Sequence, residues 1–461
     1  STSSQLINSD LSGVSEFQQI DGTPNTRYGK FFTISPDSKY IFITHWTSPY
    51  TVEVRKNTGT LEDPSYTVIH YLNKPNYVAG NNPMWGRNIR CNYDATILII
   101  GFKESITNHG YSIFYRNTND DTFYEVANSP FVNVGNTNGH DAQDVQGNFL
   151  SENGKYFILS DPWTSGINNR GTATICELKN ATNDISLVPL FTIQGEEVSD
   201  AFGASCAISN NGYFIIGCWL PNHGWSGRVY LYKYDEIDSY SQIWRFDNPL
   251  QYMGNPSDNL GKHTTITPDG NYIAFSAWGQ DIPDDANNDR GWVRVYKKGS
   301  SDYEWNQVGN EITGQLHSEG GGRSRFEGFG YSYLYLNKIG GNLVFSTSFH
   351  QNWSSGYVAG AAWIYNFKEN VDTSWNLLQK IIPSSDQQWH LGQGLSMSYN
   401  IMGVGVPGNG LLANYIKLYK FNIQETIVTV SNDVISLPTY LEWTGSMFTM
   451  MGNEFAYSYN G

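Results

Sequence analysis

The chain has 461 residues and a formal net charge of −15, from 28 Lys and Arg against 43 Asp and Glu. No block of basic residues stands out, which makes nucleic acid and anionic membranes poor partners. With 39% hydrophobic and only 15% charged residues it is neither a disordered chain nor a coiled coil, and its 31 Tyr, 23 Phe, 14 Trp and 46 Gly favour short strands and tight turns over helices.

From the N-terminus, the chain starts at Ser1 rather than Met, as a processed form would, and no signal peptide is visible. "EFQQIDG" at 16–22 reads as an outer strand, like "LFTIQG" at 190–195 and "WNQVGNEITG" at 305–314. Each lies just upstream of a glycine that opens a hairpin. That glycine recurs at Gly29, Gly86, Gly147, Gly203, Gly261, Gly330 and Gly392, at intervals of 57, 61, 56, 58, 69 and 62 residues. After it come a first strand and a tight turn: "PDSK" at 36, "NYDA" at 92, "ENGK" at 152, "NNGY" at 210, "PDGN" at 268 and the longer "NKIGGN" at 337. A second strand follows, then a loop of variable length. The third strand alternates, as in "YSIFYR" at 111, "GRVYLYK" at 227 and "YIKLYK" at 415. A fourth opens on an aromatic: Tyr66, Tyr124, Trp244, Trp305 or Trp375. The longest clean apolar run, "ATILIIGF" at 95–102, is too short to span a bilayer.

Seven copies of a four-stranded antiparallel unit predict an all-β, seven-bladed β-propeller, with repeats starting near 27, 84, 145, 201, 259, 328 and 390. The first strand is expected to line the axis, where glycine lets backbones crowd together. Residues 16–21 are expected to complete the seventh blade, whose other strands come from 391–421. A rival closure uses "ETIVTVS" at 425–431. On the first reading the propeller spans 1–421 and an aromatic-rich extension spans 422–461. Trp443, Phe448, Met450, Met451 and Phe455 make that extension a candidate assembly tail, with packing on the propeller itself as the alternative.

The pattern "FG-x-S…S-x-(D/N)-G-x-(Y/L)…G-x-V-x-x-Y" resembles the FG-GAP repeat, which builds seven-bladed propellers in integrin α-chain heads and in extracellular and virus-encoded proteins. Phe202-Gly203 and Phe329-Gly330 keep the literal pair, and Tyr28-Gly29, Trp85-Gly86 and Leu260-Gly261 are variants. The third repeat, with Gln146-Gly147, diverges most. The resemblance covers roughly residues 16–430 and implies the fold more strongly than a function.

The four cysteines, Cys91, Cys176, Cys206 and Cys218, form no C-x-x-C pair, so a structural zinc site is not expected. A two-residue turn places Cys206 opposite Ile215 rather than Cys218, and all four are read as buried thiols.

In a propeller the loops between second and third strands share one face with the loops joining blades. That face is expected to carry Trp46, Trp163, Trp219, Trp225, Trp278, Trp353 and Trp389, with His223 and His350 among scattered histidines. One reading is an aromatic surface for a protein or glycan, since indole rings give stiff contact area at low entropic cost. The other is that Trp46, Trp219 and Trp278, at equivalent positions, cap the core between blades. Asp281, Asp284, Asp285, Asn287 and Asp289 in "QDIPDDANNDRG" offer oxygens at short spacing, as calcium requires. The integrin-type calcium loops lie between strands one and two, where this chain has only short turns, so those sites do not carry over. A solvated acidic loop is the first expectation there, calcium the second, and no other cofactor is expected.

No G-x-S-x-G, H-E-x-x-H, phosphate-binding glycine loop or S-x-D-x-G-x-x-W box occurs, so a non-enzyme is expected. The expected function is an extracellular or particle- or cell-surface propeller that binds a protein or glycan. A structural subunit of a virion or surface assembly, docked through 425–461, is the alternative, and a propeller enzyme a minor one.

Overall fold

A computed structural model describes residues 4–23, 26, 28–45, 50–74, 85–103, 109–126, 131–132, 147–162, 170–181, 184–198, 200–218, 227–235, 239–247, 259–277, 291–314, 329, 332–349, 360–382, 391–407, 414–430, 449–451 and 454–456. The expected architecture is the observed one: seven small antiparallel sheets in a ring, with no helix among the described residues. Strands a to d run from the axis outward. Blade 4 shows the full pattern, with Phe202–Ile208, Tyr213–Cys218, Arg228–Asp235 and Ser239–Asp247. Blade 3 is the most irregular. Its strand a is reduced to a bridge between Leu150 and Phe157.

The N-terminal strand closes the ring. Blade 7 runs Gly394–Met397, Ile401–Val406, Tyr415–Val430 and, outermost, Ser4–Asp21. Residues 425–430 of the rival closure therefore extend strand c. Across the seam Lys417 Nζ meets Glu16 at 3.0 Å, and Asn342 Nδ2 donates to Asp10 at 3.1 Å. By compactness the chain divides into Asp10–Gln424 and a second unit of Ser1–Ser9 with Glu425–Gly461. That second unit holds a hairpin of Thr449–Met451 and Glu454–Ala456, with Met450 opposite Phe455.

At most of its positions the recurring glycine has a different cause from the one expected. Gly203 adopts φ +93°, and a Cβ there would collide with Ser160 Oγ and lie 3.1 Å from Thr172 O, both on blade 3. At Gly29, Gly86, Gly203, Gly261 and Gly392 the glycine is where a new blade presses on its predecessor, whereas at Gly147 a Cβ would meet the inner-strand carbonyls of Cys206 and Thr264, the crowding near the axis that was expected. The glycine carbonyl accepts a hydroxyl from the preceding blade: Thr44 to Gly86 at 2.8 Å, Ser160 to Gly203 at 2.7 Å and Ser348 to Gly392 at 2.7 Å.

The a–b turns share a second device. A Ser or Thr donates to an Asx side chain two residues on and accepts the backbone N–H that opens strand b. Ser209 Oγ lies 2.7 Å from Asn211 and 2.9 Å from Tyr213 N, and Ser35, Ser151 and Thr267 repeat the arrangement. Successive turns are hydrogen-bonded to one another. Tyr399 N donates to Pro36 O, Asp37 N to Tyr93 O, Tyr93 N to Glu152 O, and Asn210 N to Pro268 O.

On the outside, blades are clasped by an acid in the c–d turn of one and a Tyr and Lys of its predecessor. Asp121 accepts from Tyr40 Oη and Lys56 Nζ, both at 2.6 Å, and from Arg116 at 2.9 Å. Asp302 accepts from Tyr213 Oη and from Lys233 Nζ at 2.8 Å, while Lys298 lies over the Tyr213 ring. Burial alone would raise the Asp302 carboxyl, but the hydrogen bonds from Lys233 and Tyr213 outweigh it and hold it below its usual value. Between blades the core is aromatic. Phe214 stacks on Tyr232, Phe275 on Tyr296 and Phe345 on Tyr365. Trp305 and Trp375, which open the fourth strands of their blades, are buried. Tyr124 is instead 53% exposed, and its neighbour Phe123 fills the inward position.

All four cysteines are buried free thiols. Cys206 faces Ile216, not Ile215, because the last pair before the turn is Ile208 with Phe214.

Candidate functional site

One group of described polar side chains converges on the ring axis. Counting four residues from the recurring glycine gives Thr33, Ala207, Thr265 and Ser396 in blades 1, 4, 5 and 7, and Arg90 in blade 2. Thr33, Arg90 and Ser396, with Tyr335 of blade 6 and Asn148 and Glu152 of blade 3, line a cavity of about 70 Å³. That is room for a few water molecules or one small solute.

Arg90 is 8% exposed. Its Nε donates to Gly147 O at 2.9 Å and its Nη1 to Ile89 O at 2.7 Å. The guanidinium carbon lies 5.8 Å from the ring centroids of both Phe149 and Tyr335, so it faces aromatic rings of blades 3 and 6. Among the described residues it forms no ion pair with a carboxylate. Ser396 Oγ accepts from Ile34 N at 3.0 Å. The Tyr335 hydroxyl is buried with no hydrogen-bond partner among the described residues.

Tyrosines stand towards both ends of the axis. Tyr333 of blade 6 reaches towards Lys30 O of blade 1 at 3.5 Å and lies beside the His263 ring of blade 5. On the a–b turn side, Tyr399 of blade 7 crosses to blade 3 and donates to Glu152 Oε2 at 2.9 Å, with Tyr93 of blade 2 against its ring. The other Glu152 oxygen is buried without a partner among the described residues. Burial pushes the Glu152 carboxyl up to about 7, despite the opposing hydrogen bond from Tyr399.

The loop-face residues Trp46, Trp163, Trp219, Trp225, Trp278, Trp353, Trp389, His223 and His350 lie outside the described residues, as do Asp281, Asp284, Asp285, Asn287 and Asp289. Trp443 and Phe448 of the tail also lie outside them, and only the backbone of Met450, Met451 and Phe455 is described. Among the described residues no group of three or more His, Cys, Asp or Glu is arranged to hold a metal ion, and no helix is long and apolar enough to cross a membrane. The axial group was not anticipated. Its signal was Arg90 itself, a lone cation where the aligned positions carry Thr33, Ser151, Ala207, Thr265, Leu334 and Ser396.

No known family profile matches the chain, and no curated protein matches it. Among solved structures it is similar to a candidate 6-phosphogluconolactonase from Bacteroides uniformis, at 12% identity and a TM-score of 0.43, over 77% of this chain and 85% of that one.

Proposed function

We propose that the chain is a non-catalytic binding propeller of FG-GAP type, displayed outside the cell or on a particle or cell surface, which recognises a protein or glycan through its loop face. The observation that carries this reading is the ring itself. In every blade strand b runs from the hydrogen-bonded turn face to the opposite face, so the segments carrying Trp225 and Trp353 leave Cys218 and Phe349 from one side of a braced frame. The FG-GAP assignment rests on Phe202-Gly203 and Phe329-Gly330 together with the Ser–Asx turns. Glycan and surface-protein arrays test it. The wild-type chain should retain a ligand that Trp225→Ala and Trp353→Ala variants lose while their unfolding transition stays unchanged. An equal signal from both variants and wild type would remove the loop face from the reading.

A second reading, a structural subunit docked through its tail, is favoured by one observation: Ser1–Ser9 and Glu425–Gly461 form a compact unit of their own. Light scattering on the full chain and on one ending at Gln424 separates the two. Assembly of the full chain alone supports docking, and two folded monomers oppose it.

A further inference from the structure

We propose that the axial cavity is a binding site for a small oxyanion, seated against the Arg90 guanidinium. The inference does not depend on the loop-face reading, because the groups that carry it belong to the inner strands and their turns.

Three observations converge. First, Arg90 is a buried guanidinium whose partners are two carbonyls and two aromatic rings, with no carboxylate among the described residues. Buried charges in folded proteins are paired, because a desolvated cation without a counter-charge is costly. A guanidinium is also the side chain whose fork of donors matches the oxygens of a phosphate or carboxylate. Second, the cavity supplies further donors. The Ser396 hydroxyl accepts from Ile34 N and keeps its hydrogen to give, and the Tyr335 hydroxyl is buried with no partner among the described residues. Third, the inner strands lack the acidic residues that dominate the chain as a whole. The chain carries −15 overall. Yet no strand a contains an Asp or Glu, while Lys30, Arg87 and Lys262 each follow the recurring glycine at the start of one. The single carboxyl lining the cavity, Glu152, is engaged by Tyr399 at the turn side, and burial favours its neutral form. The volume of about 70 Å³ fits a small solute and is far too little for an oligosaccharide or peptide.

Phosphate and small carboxylates share this chemistry, and titration calorimetry at constant ionic strength in Tris chloride distinguishes them. The probes are inorganic phosphate and malonate. The expected result is saturable one-to-one binding of at least one probe, with an upward shift of the unfolding temperature relative to chloride. Phosphate alone would indicate a phosphoryl source, and malonate alone a carboxylate source. Arg90→Lys keeps the charge but loses the fork and should weaken binding at least tenfold. Tyr335→Phe and Ser396→Ala should each weaken it severalfold, and they decide the matter if the Arg90 variant does not fold. No saturable binding of either probe, or wild-type affinity in all the variants that fold, would overturn the proposal.

Discussion

Replacing Glu152 with Gln should stabilise the protein at pH 8 and leave it nearly unchanged at pH 5. The carboxyl donates nothing when ionised. One oxygen accepts from Tyr399 at 2.9 Å and the other is buried with no partner among the described residues. Burial moves its pKa from 4.5 to about 7. A folded value above the unfolded one means that the native state holds the proton more tightly. The associated stability is fully present below about pH 4.5 and is lost as pH rises through about 7. A shift of that size has a ceiling of about 3 kcal/mol, and partial exposure of Glu152 brings the expected loss to about 1–2 kcal/mol. Glutamine keeps an acceptor for Tyr399 and cannot ionise. Urea unfolding followed by Trp fluorescence should therefore give wild-type and Glu152→Gln curves that coincide at pH 5 and separate by that amount at pH 8. Parallel behaviour at both pH values would mean that Glu152 is solvated and the axis open to bulk water on the turn side.

Asp302→Asn should destabilise by about 1–2 kcal/mol, because Lys233, Lys298 and Tyr213 share that one carboxylate in a partly screened network. Its pKa is held low, so the contribution is present above the unfolded carboxyl pKa and lost as pH falls through the folded one. A double-mutant cycle with Tyr213→Phe should show coupling, and strict additivity would remove the clasp from the account. Gly203→Ala should cost about 2–4 kcal/mol, from positive-φ strain plus overlap with Ser160. Gly212→Ala, with φ +85° but its nearest neighbour 3.4 Å away at Tyr234, should cost only about 1 kcal/mol. Equal losses at the two sites in urea unfolding would show that strain alone, not contact between blades, fixes the recurring glycine.

Features set by local chemistry were legible in the chain. Ser209-Asn-Asn-Gly212 closes its own hydrogen bonds, so the turn could be read without knowing its neighbours. The blade count followed from the glycine ahead of each such hairpin recurring at near-constant spacing. Features set by contacts between blades were not legible. Nothing near Gly203 announces Ser160, 43 residues earlier, as its neighbour. Phe123 and Tyr124 are adjacent aromatics, and the strand's facing alone decides which one is buried. The register at Cys206 slipped by one residue because the turn takes more chain than its two central residues suggest. Arg90 was visible as a letter but not as a site, since its meaning comes from six other blades converging on one axis.

The contrast between rim and axis is what makes the axis informative. At the rim, among the described residues, strong charges are met by several partners: Asp121 takes three donors, Asp302 takes Tyr213 and Lys233, and Lys297 meets Glu369 at 2.6 Å. These contacts repeat with the blades, as expected of devices that hold a ring together. On the axis the repeat is broken. One of the equivalent positions carries a guanidinium, a neighbouring tyrosine has no hydroxyl partner among the described residues, and a carboxyl is held where it resists ionisation. Each departure costs stability that a Thr, Phe or Gln would not. The clasps at the rim show that this fold can meet a strong charge with several partners, whereas among the described residues the centre meets Arg90 with carbonyls and aromatic rings alone. Unmet hydrogen-bonding capacity of matching sign, gathered around one small cavity, is what a bound anion would complete.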